Sequence, residues 1–279
     1  GGKPDEYAGY MRQIGKPLSA DTEDELTWAA AEKLYDDQKL NEALNAYNSY
    51  IQRFPSGAHV LEANFNRAEI YNTRKDWNNA VVAFEAVAAQ APNPFAERAI
   101  LSAARINFFE LKNYAKAETF YAQLKQLTSN QELKLEAMRG LLRCQYNQQK
   151  WTEASANAKE LTASKGSSAD DKTLANMVIA KSAQVAGQYN EAINAFKSVV
   201  QLNKAALAAE ARYEIASCWF QLNKLSESEK AAFETISKSG SYDYWITKAY
   251  ILLGDIYFKQ KDYFNAKAAL EAVIENFQD

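Results

Sequence analysis

The sequence of 279 residues is poor in residues that break or cross-link a chain, with 10 glycines, 5 prolines, 2 cysteines and a single histidine. The two cysteines form no CxxC pair, which gives neither a disulfide framework nor a cysteine-based zinc site. One histidine without Cys or carboxylate partners at ligand spacing gives no metal site and no Ser-His-Asp or Cys-His set. We therefore expect no metal, no cofactor and no enzymatic activity.

Long apolar runs and a strong charge of one sign are also missing. No apolar run approaches the roughly 18 residues of a transmembrane helix, so we expect no direct membrane insertion. The net charge is −3 and the pI is about 5.5, which gives no electrostatic reason to bind nucleic acid. The sequence starts at Gly1 without an initiator Met or a signal peptide, and we expect it to belong to a longer protein.

What the sequence does contain is a pattern that recurs seven times: an aromatic residue or Leu, two mostly polar residues, and a small residue. The small residues lie 36 to 38 positions apart, at Ala43, Ala80, Ala117, Ala154, Ala192, Ser228 and Ala266. Four residues later, one helical turn on, come Tyr47, Phe84, Tyr121, Ala158, Phe196, Ala232 and Leu270. Twelve residues earlier stand Ala31, Ala68, Arg105, Leu142, Ala180, Ala216 and Gly254. This fixed period predicts repeats that each consist of a helix A, a tight turn and a helix B.

Chain breakers separate the repeats, and all five prolines lie near a predicted boundary. The predicted repeats span residues 24–57, 61–94, 98–131, 135–168, 173–206, 209–242 and 247–279. Residues 1–23 are predicted to hold an orphan helix B, with Pro4 in its first turn, followed by a linker. Thr22 with Glu25 predicts a capping box at the start of the first helix A. A further Phe-type boundary is expected at 277–279. The count is fifteen helices, one orphan and seven antiparallel pairs.

The pattern resembles the tetratricopeptide repeat (TPR), a helix pair of about 34 residues with small residues at the helix contacts. The resemblance covers about residues 24–279 and is strongest in 61–94 and 247–279. It is weakest in repeats four and six, where Leu142, Ser228 and Ala232 depart from the pattern. It implies an all-α fold, a right-handed superhelical solenoid of antiparallel helix pairs. The longer period is similar to that of envelope arrays in Gram-negative, Bacteroidetes-type bacteria, which implies a periplasmic or envelope-associated location.

The resemblance also implies a function, because helix A of each repeat lines a concave groove in that family. We expect a non-catalytic protein–protein interaction scaffold that holds a peptide segment or partner helix of an unidentified protein in this groove. The alternative is a structural subunit of a larger envelope complex that uses its convex face or edges, without a groove ligand. Candidate groove residues, taken from positions 2, 5, 9 and 12 of the repeats, are Trp28, Tyr35, Phe65, Phe109, Arg139, Arg143, Tyr146, Lys181, Tyr213, Phe220 and Phe258.

Arg139, Arg143 and Lys181 are the cationic cluster of the predicted groove. We expect them to receive an acidic side chain or chain terminus of the partner, while Phe109 and Tyr146 hold an apolar residue beside it. Recognition of chaperone tails is not expected, since no window of three repeats carries the Lys, Asn and Arg pattern used by the family members that bind them.

The remaining conspicuous residues are expected to be structural. His59 follows a Pro-Ser-Gly turn and is expected in an exposed loop. Cys144 and Cys218 precede their small residues by ten positions and are expected to be buried. Residues 165–168, Lys-Gly-Ser-Ser, are expected to form a turn and a helix cap, because a phosphate-binding loop needs a longer motif. Gly254 lies inside a predicted helix, which indicates close packing of the partner helix.

Overall fold

The computed structural model describes residues 3–276, except for the side chain of Asn276, and all regular secondary structure in this range is helical. The described residues form fifteen α-helices and one π-helix. These are α1 (Pro4–Gln13), α2 (Ala20–Asp36), α3 (Leu40–Arg53), α4 (Val60–Thr73), α5 (Trp77–Ala88), α6 (Ala96–Arg105), the π-helix (Ile106–Glu110), α7 (Tyr114–Leu127), α8 (Gln131–Asn147), α9 (Trp151–Ala163), α10 (Ala169–Val185), α11 (Tyr189–Leu202), α12 (Ala206–Gln221), α13 (Leu225–Lys238), α14 (Asp243–Lys259) and α15 (Tyr263–Asn276). The predicted all-α fold of fifteen helices is confirmed. The boundary expected at 277–279 lies outside the described residues.

The chain divides into two compact units, Gly1–Ala137 and Met138–Asp279. In the first unit, each helix from α2 to α6 packs on the helix that follows it. The same holds in the second unit from α9 to α15, where α12 also contacts both α10 and α14. We call the even-numbered helices α2 to α14 the A helices and the odd-numbered ones the B helices. Tight turns join each A helix to the next B helix, so each pair is antiparallel.

The small residues of the repeated pattern lie where helices cross. All seven are buried, six of them with no exposed surface and Ala266 with 7%. The residues four positions later are also at most 3% exposed, apart from Leu270 at 45%. Gly254 shows why size matters at these crossings, because a Cβ atom there would lie 3.0 Å from the Leu270 side chain. The burial of the seven small residues and the close packing at Gly254 agree with the sequence pattern.

Every A–B turn contains one residue with positive φ, at Gln38, Lys75, Lys112, Gln149, Gly187, Asn223 and Lys261. In six of the seven turns, the next backbone N–H donates to the carbonyl five residues before it, as from Lys39 to Leu34 at 2.9 Å. This left-handed C-cap satisfies carbonyls that the end of a helix leaves without partners. Six of the seven turns thus share one conformation, although only one of these six contains glycine.

The π-helix makes repeat three the exception. Its closing hydrogen bond runs from the Asn113 amide to the Asn107 carbonyl at 2.7 Å, a span of six residues instead of five. One additional residue is therefore accommodated before the turn, and the register of α6 shifts by one. Ala104, with no exposed surface, occupies the contact position that the sequence pattern assigns to Arg105, which is exposed. The prediction for Arg105 is wrong for this reason.

Pro4 is the first residue of α1, as predicted, whereas the two predicted helix caps have opposite outcomes. The capping box of Thr22 and Glu25 is wrong, because α2 begins at Ala20 and Ser19 is its cap, accepting the Thr22 amide at 3.1 Å. The turn and cap at 165–168 are confirmed. Ser168 and Asp171 form a reciprocal capping box at the start of α10, with bonds of 3.1 and 2.9 Å.

Candidate functional site

The four aromatic candidates of the first unit differ in accessibility. Trp28 and Phe65 are buried, with 8% and 4% of their surface exposed. Phe65 stacks on Phe95 at 4.9 Å, and Tyr35 is half-buried with its ring centroid 6.1 Å from that of Tyr47. Phe109, in contrast, is 49% exposed. The first three contribute mainly to packing, and Phe109 is the aromatic candidate of this unit whose ring is largely accessible.

His59 belongs to the same packing and is not an exposed loop residue as predicted. Its ring lies flat on Trp28, with centroids 4.7 Å apart and an angle of 2° between the planes. Its Nε2 is 3.1 Å from a Glu25 carboxylate oxygen, and its backbone amide donates to the Tyr50 hydroxyl at 3.0 Å. The Tyr50 hydroxyl donates in turn to Asp24 at 2.5 Å. Burial and this bond to Asp24 raise the pKa of Tyr50.

A cleft of about 260 Å³ opens where α4 and α5 meet α6 and the π-helix. Four of its lining residues come from predicted groove positions of repeats two and three: Asn72, Ser102, Ile106 and Phe109. Trp77, Arg105 and Glu110 complete the lining. The cleft therefore combines an exposed aromatic ring with an amide, a carboxylate and the guanidinium group of Arg105, which is paired with Glu136.

The π-helix determines which side chains reach this cleft. It contains Phe109, whose ring contacts Phe108 edge-on at 4.8 Å, and Glu110, which is exposed. Because a π-helix contains one more residue per closing hydrogen bond, it turns these side chains to directions that a continuous α-helix would not give them. Helical irregularities of this kind often occur at functional sites.

The shift in register of α6 places two cations at positions where the sequence analysis did not expect them. Arg105 donates from Nε to Glu136 at 2.7 Å, and Arg98 lies 4.0 Å from Glu69 and above the ring of Phe65. The predicted inward positions of repeat three had included Ala99 and Ile106, which are buried. A shift of one residue, caused by the π-helix, explains the difference.

The cationic cluster predicted for the second unit is largely paired within the chain. Arg139 donates from Nε to Asp171 at 2.5 Å and from Nη2 at 3.3 Å. Burial acts to raise the pKa of Asp171, but the bonds from Arg139 and from the Ser168 cap outweigh it and lower the pKa. Lys181 reaches Glu214 at 2.6 Å and Glu210 at 3.0 Å.

Burial alone would lower the pKa of Lys181, but the carboxylates of Glu214 and Glu210 outweigh it and raise this pKa. Arg143 is exposed and has no ion-pair partner among residues 3–276. The expectation of a three-cation cluster that receives an acidic group must be corrected, since Arg139 and Lys181 already hold carboxylates. Arg143 is the member of the cluster whose charge is available.

The aromatic candidates of the second unit also differ in how much of each side chain is exposed. Tyr146 meets Trp151 edge-on at 5.5 Å, and Phe220 lies under Lys259 at 4.9 Å. Tyr213 lies under Lys248 at 4.7 Å, and burial raises its pKa. These three are half-buried, whereas Phe258 is 66% exposed.

Ion pairs between consecutive A helices are the feature that the sequence reasoning overlooked. Arg105 with Glu136, Arg139 with Asp171, and Lys181 with Glu214 are 31, 32 and 33 residues apart. These separations are close to one repeat, so a search for opposite charges at that distance would have found the pairs.

Both cysteines are buried, as predicted. Burial raises the pKa of the Cys218 thiol to about 12. Among residues 3–276 there is no group of three His, Cys, Asp or Glu side chains arranged to hold a metal ion. Within the same range, none of the helices has both the length and the apolar character needed to cross a membrane.

Comparison with known families gives three matches, each to a tetratricopeptide-repeat model. They cover residues 62–94, 177–243 and 247–279. No curated protein matches the sequence.

Solved structures with a similar fold have low sequence identity. The C-terminal part of a TPR repeat-containing protein from Cytophaga hutchinsonii is 13% identical, with a TM-score of 0.59, over 89% of this chain and 95% of that one. The apo quorum sensor NprR from B. thuringiensis is 14% identical, with a TM-score of 0.51, over 97% and 79%. YrrB, described as a TPR protein with an unusual peptide-binding site, is 13% identical, with a TM-score of 0.51, over 72% and 96%.

Proposed function

Since the chain belongs to the tetratricopeptide-repeat family, we propose that it is a non-catalytic interaction scaffold that binds a peptide segment of another protein in the cleft beside the π-helix. The observation that supports this most is the cleft lined by Asn72, Phe109 and Glu110, in which Phe109 is 49% exposed. The fold is compatible with such a role, because YrrB has the same fold and is described as having a peptide-binding site.

The chemistry of the cleft defines the segment it would take. The faces of Phe109 and Trp77 suit an apolar side chain, and rigid aromatic residues are frequent hot spots of binding. The Asn72 amide has one donor and one acceptor group, which match the backbone of an extended peptide. Glu110 has no ion-pair partner among the described residues, so a Lys or Arg of the peptide would complement it.

A random peptide display library tests this proposal. Peptides selected on the wild-type protein should contain an apolar residue near a Lys or Arg, and should bind the Phe109→Ala variant at least tenfold more weakly, about 1.4 kcal/mol. Phe264→Ala is the matched control, since Phe264 is 83% exposed on the B helix α15, outside the cleft. Peptides that bind both variants as well as the wild type would contradict the proposal and favour a structural scaffold without a ligand on this face.

A periplasmic or envelope-associated location is the further proposal that the sequence resemblance supports. Fractionation of the source organism, with an antibody against this chain, would test it, and recovery in the cytoplasmic fraction would contradict it.

A further inference from the structure

A second cavity lies within the second unit, and its chemistry differs from that of the cleft in the first unit. It has a volume of about 390 Å³ and lies between the B helices α11 and α13 and the side of α12 that faces them. Val200, Ile215 and Trp219 form its apolar wall. Three cations, Lys197, Arg212 and Lys230, also line it. This volume falls within the range of about 300–1,000 Å³ that is typical of ligand pockets.

The three cations of this cavity are not paired within the protein. Among residues 3–276, none of Lys197, Arg212 and Lys230 has an ion-pair partner. The Nε of Arg212 is buried and has no hydrogen-bond partner. A buried N–H without a partner is unfavourable, and a guanidinium group is shaped to take a carboxylate through two parallel bonds.

Two carboxylates line the cavity as well, and they do not cancel its charge. Glu234 holds Lys238 at 2.8 Å, so it is already neutralised. Glu227 is the one remaining acidic side chain of the lining without a partner in the described part of the chain. Three unpaired cations against one unpaired carboxylate leave the cavity positive, although the whole sequence has a net charge of −3.

Comparison among the repeats indicates that the fold does not require these cations. Arg212 stands sixteen residues before the small residue of its repeat, where the other repeats have Thr27, Asn64, Ile100, Met138, Asn176 and Tyr250, with repeat three counted one residue further back because of its π-helix. Lys230 stands two residues after it, where the others have Asn45, Val82, Thr119, Ala156, Asn194 and Ala268. All twelve of these residues are uncharged. Repeats with the same architecture form without a cation at either position, so packing does not account for Arg212 and Lys230.

We propose that this cavity is a second docking site, which takes an acidic peptide segment of a protein partner. A carboxylate of the segment binds Arg212 between Lys197 and Lys230, and an adjacent apolar side chain lies against Trp219 and Ile215. Charge complementarity supports this occupant, since the site offers an aromatic wall beside unpaired positive charge, whereas the cleft beside the π-helix offers an unpaired Glu110.

The test is a selection from a random peptide display library on the Phe109→Ala protein, which removes peptides that depend on the other cleft. The selected peptides should carry Asp or Glu next to an apolar residue. Their affinity should fall at least tenfold in Arg212→Met and in Lys230→Met, each made in the same background. Lys204→Met is the matched control, because Lys204 is exposed in the same unit and does not line the cavity.

Each other outcome contradicts this second site without affecting the first. A selection that yields no peptide dependent on Arg212, or peptides without acidic residues, would overturn the proposal. Equal losses in Lys204→Met and Arg212→Met would show a general charge effect instead of a site. Thermal melts of the variants establish that they are folded, and Arg212→Met should melt within a few degrees of its parent because it breaks no ion pair.

Discussion

At the scale of single residues, the small side chains of the repeated pattern decide how closely helices approach. Ala80 in α5 has no exposed surface, whereas Ala89, which caps the same helix, is exposed. Protein interiors are packed so densely that additional methyl groups at such a crossing displace their neighbours.

Ala80→Leu should therefore lower the free energy of unfolding by about 1–3 kcal/mol, since overpacking a filled core typically costs that much. Ala89→Leu, at the C-cap of the same helix, adds the same atoms at the surface. It should change the free energy of unfolding by less than about 0.5 kcal/mol. Urea denaturation of both variants measures the two effects. Equal losses would mean that the assigned crossing point is wrong.

Residue positions of this kind could be predicted from the sequence, because the demand for small volume recurs with the period of the repeat. The partners of polar side chains do not follow from the repeat period, or from one helix considered by itself. The stacking of His59 on Trp28 depends on how a boundary turn folds back over α2, which the repeat period does not encode. The pairing of Arg139 with Asp171 depends on contact between successive A helices, which a reading of each helix by itself leaves out.

At the scale of secondary structure elements, the A–B turns and the π-helix behave differently. The turns could be predicted, since a short polar segment follows each A helix at a constant distance from the next small residue. The π-helix could not be predicted, because the spacing from Ala80 to Ala117 remains 37 residues, as in neighbouring repeats. A residue added before the turn leaves this spacing unchanged when the segment that connects the two repeats is one residue shorter than in the other repeats.

Removal of one residue tests whether the π-helix is such an addition. Deletion of Glu110 should convert the closing span of six residues in repeat three to the span of five found elsewhere, with a change in stability of less than about 1 kcal/mol. Deletion of Thr73, at the exposed end of the regular helix α4, is the matched control. It should cost about 2 kcal/mol, because the two hydrogen bonds of its C-cap contribute about 1 kcal/mol each.

Circular dichroism melts of the two deletion variants would measure the difference. If deletion of Glu110 proved as harmful as deletion of Thr73, then the π-helix would be part of the required architecture of repeat three and not an accommodated insertion.

At the scale of the whole molecule, buried hydroxyl and thiol groups make the free energy of unfolding depend on pH in the alkaline range. Burial and a bond to Glu229 raise the pKa of Tyr257 to about 12, and burial raises that of Cys218 to about 12. Burial is also the main cause of the raised pKa values of Tyr47 and Tyr50. In the unfolded chain, a tyrosine ionises near pH 10 and a cysteine near pH 8.5.

A pKa raised by folding means that the folded state retains the proton longer than the unfolded state does. The resulting contribution to stability is fully present below the unfolded pKa and is lost as pH rises through the folded pKa. The free energy of unfolding should thus decline as the pH is raised from about 9 to 12. The Tyr257→Phe variant lacks one such group, so its free energy of unfolding should decline less steeply above pH 10. Urea denaturation across this range checks both curves, and parallel curves would refute the assignment to Tyr257.

The general architecture follows from the period of the repeats alone, since a helix pair that recurs every 36 to 38 residues buries its apolar face only against its neighbours. The two proposed binding surfaces do not follow from this period. Two of the aromatic candidates, Trp28 and Phe65, are used in packing, whereas Phe109 and Arg212 are available because their repeats differ locally from the others.

The π-helix of repeat three also has an evolutionary consequence. If the repeats descend from one duplicated ancestor, homologous positions in repeats two and three differ in spacing on the two sides of the turn. After the turn, Ala80 and Ala117 are 37 residues apart; before it, Ala68 and Ala104 are 36 residues apart. An alignment of the repeats without a gap at residues 106–110 would compare Arg105 with Ala68 and assign the wrong ancestry to every residue of α6. A single inserted codon, retained because the helix could widen around it, is enough to give one copy of a duplicated gene segment a surface that the other copies lack.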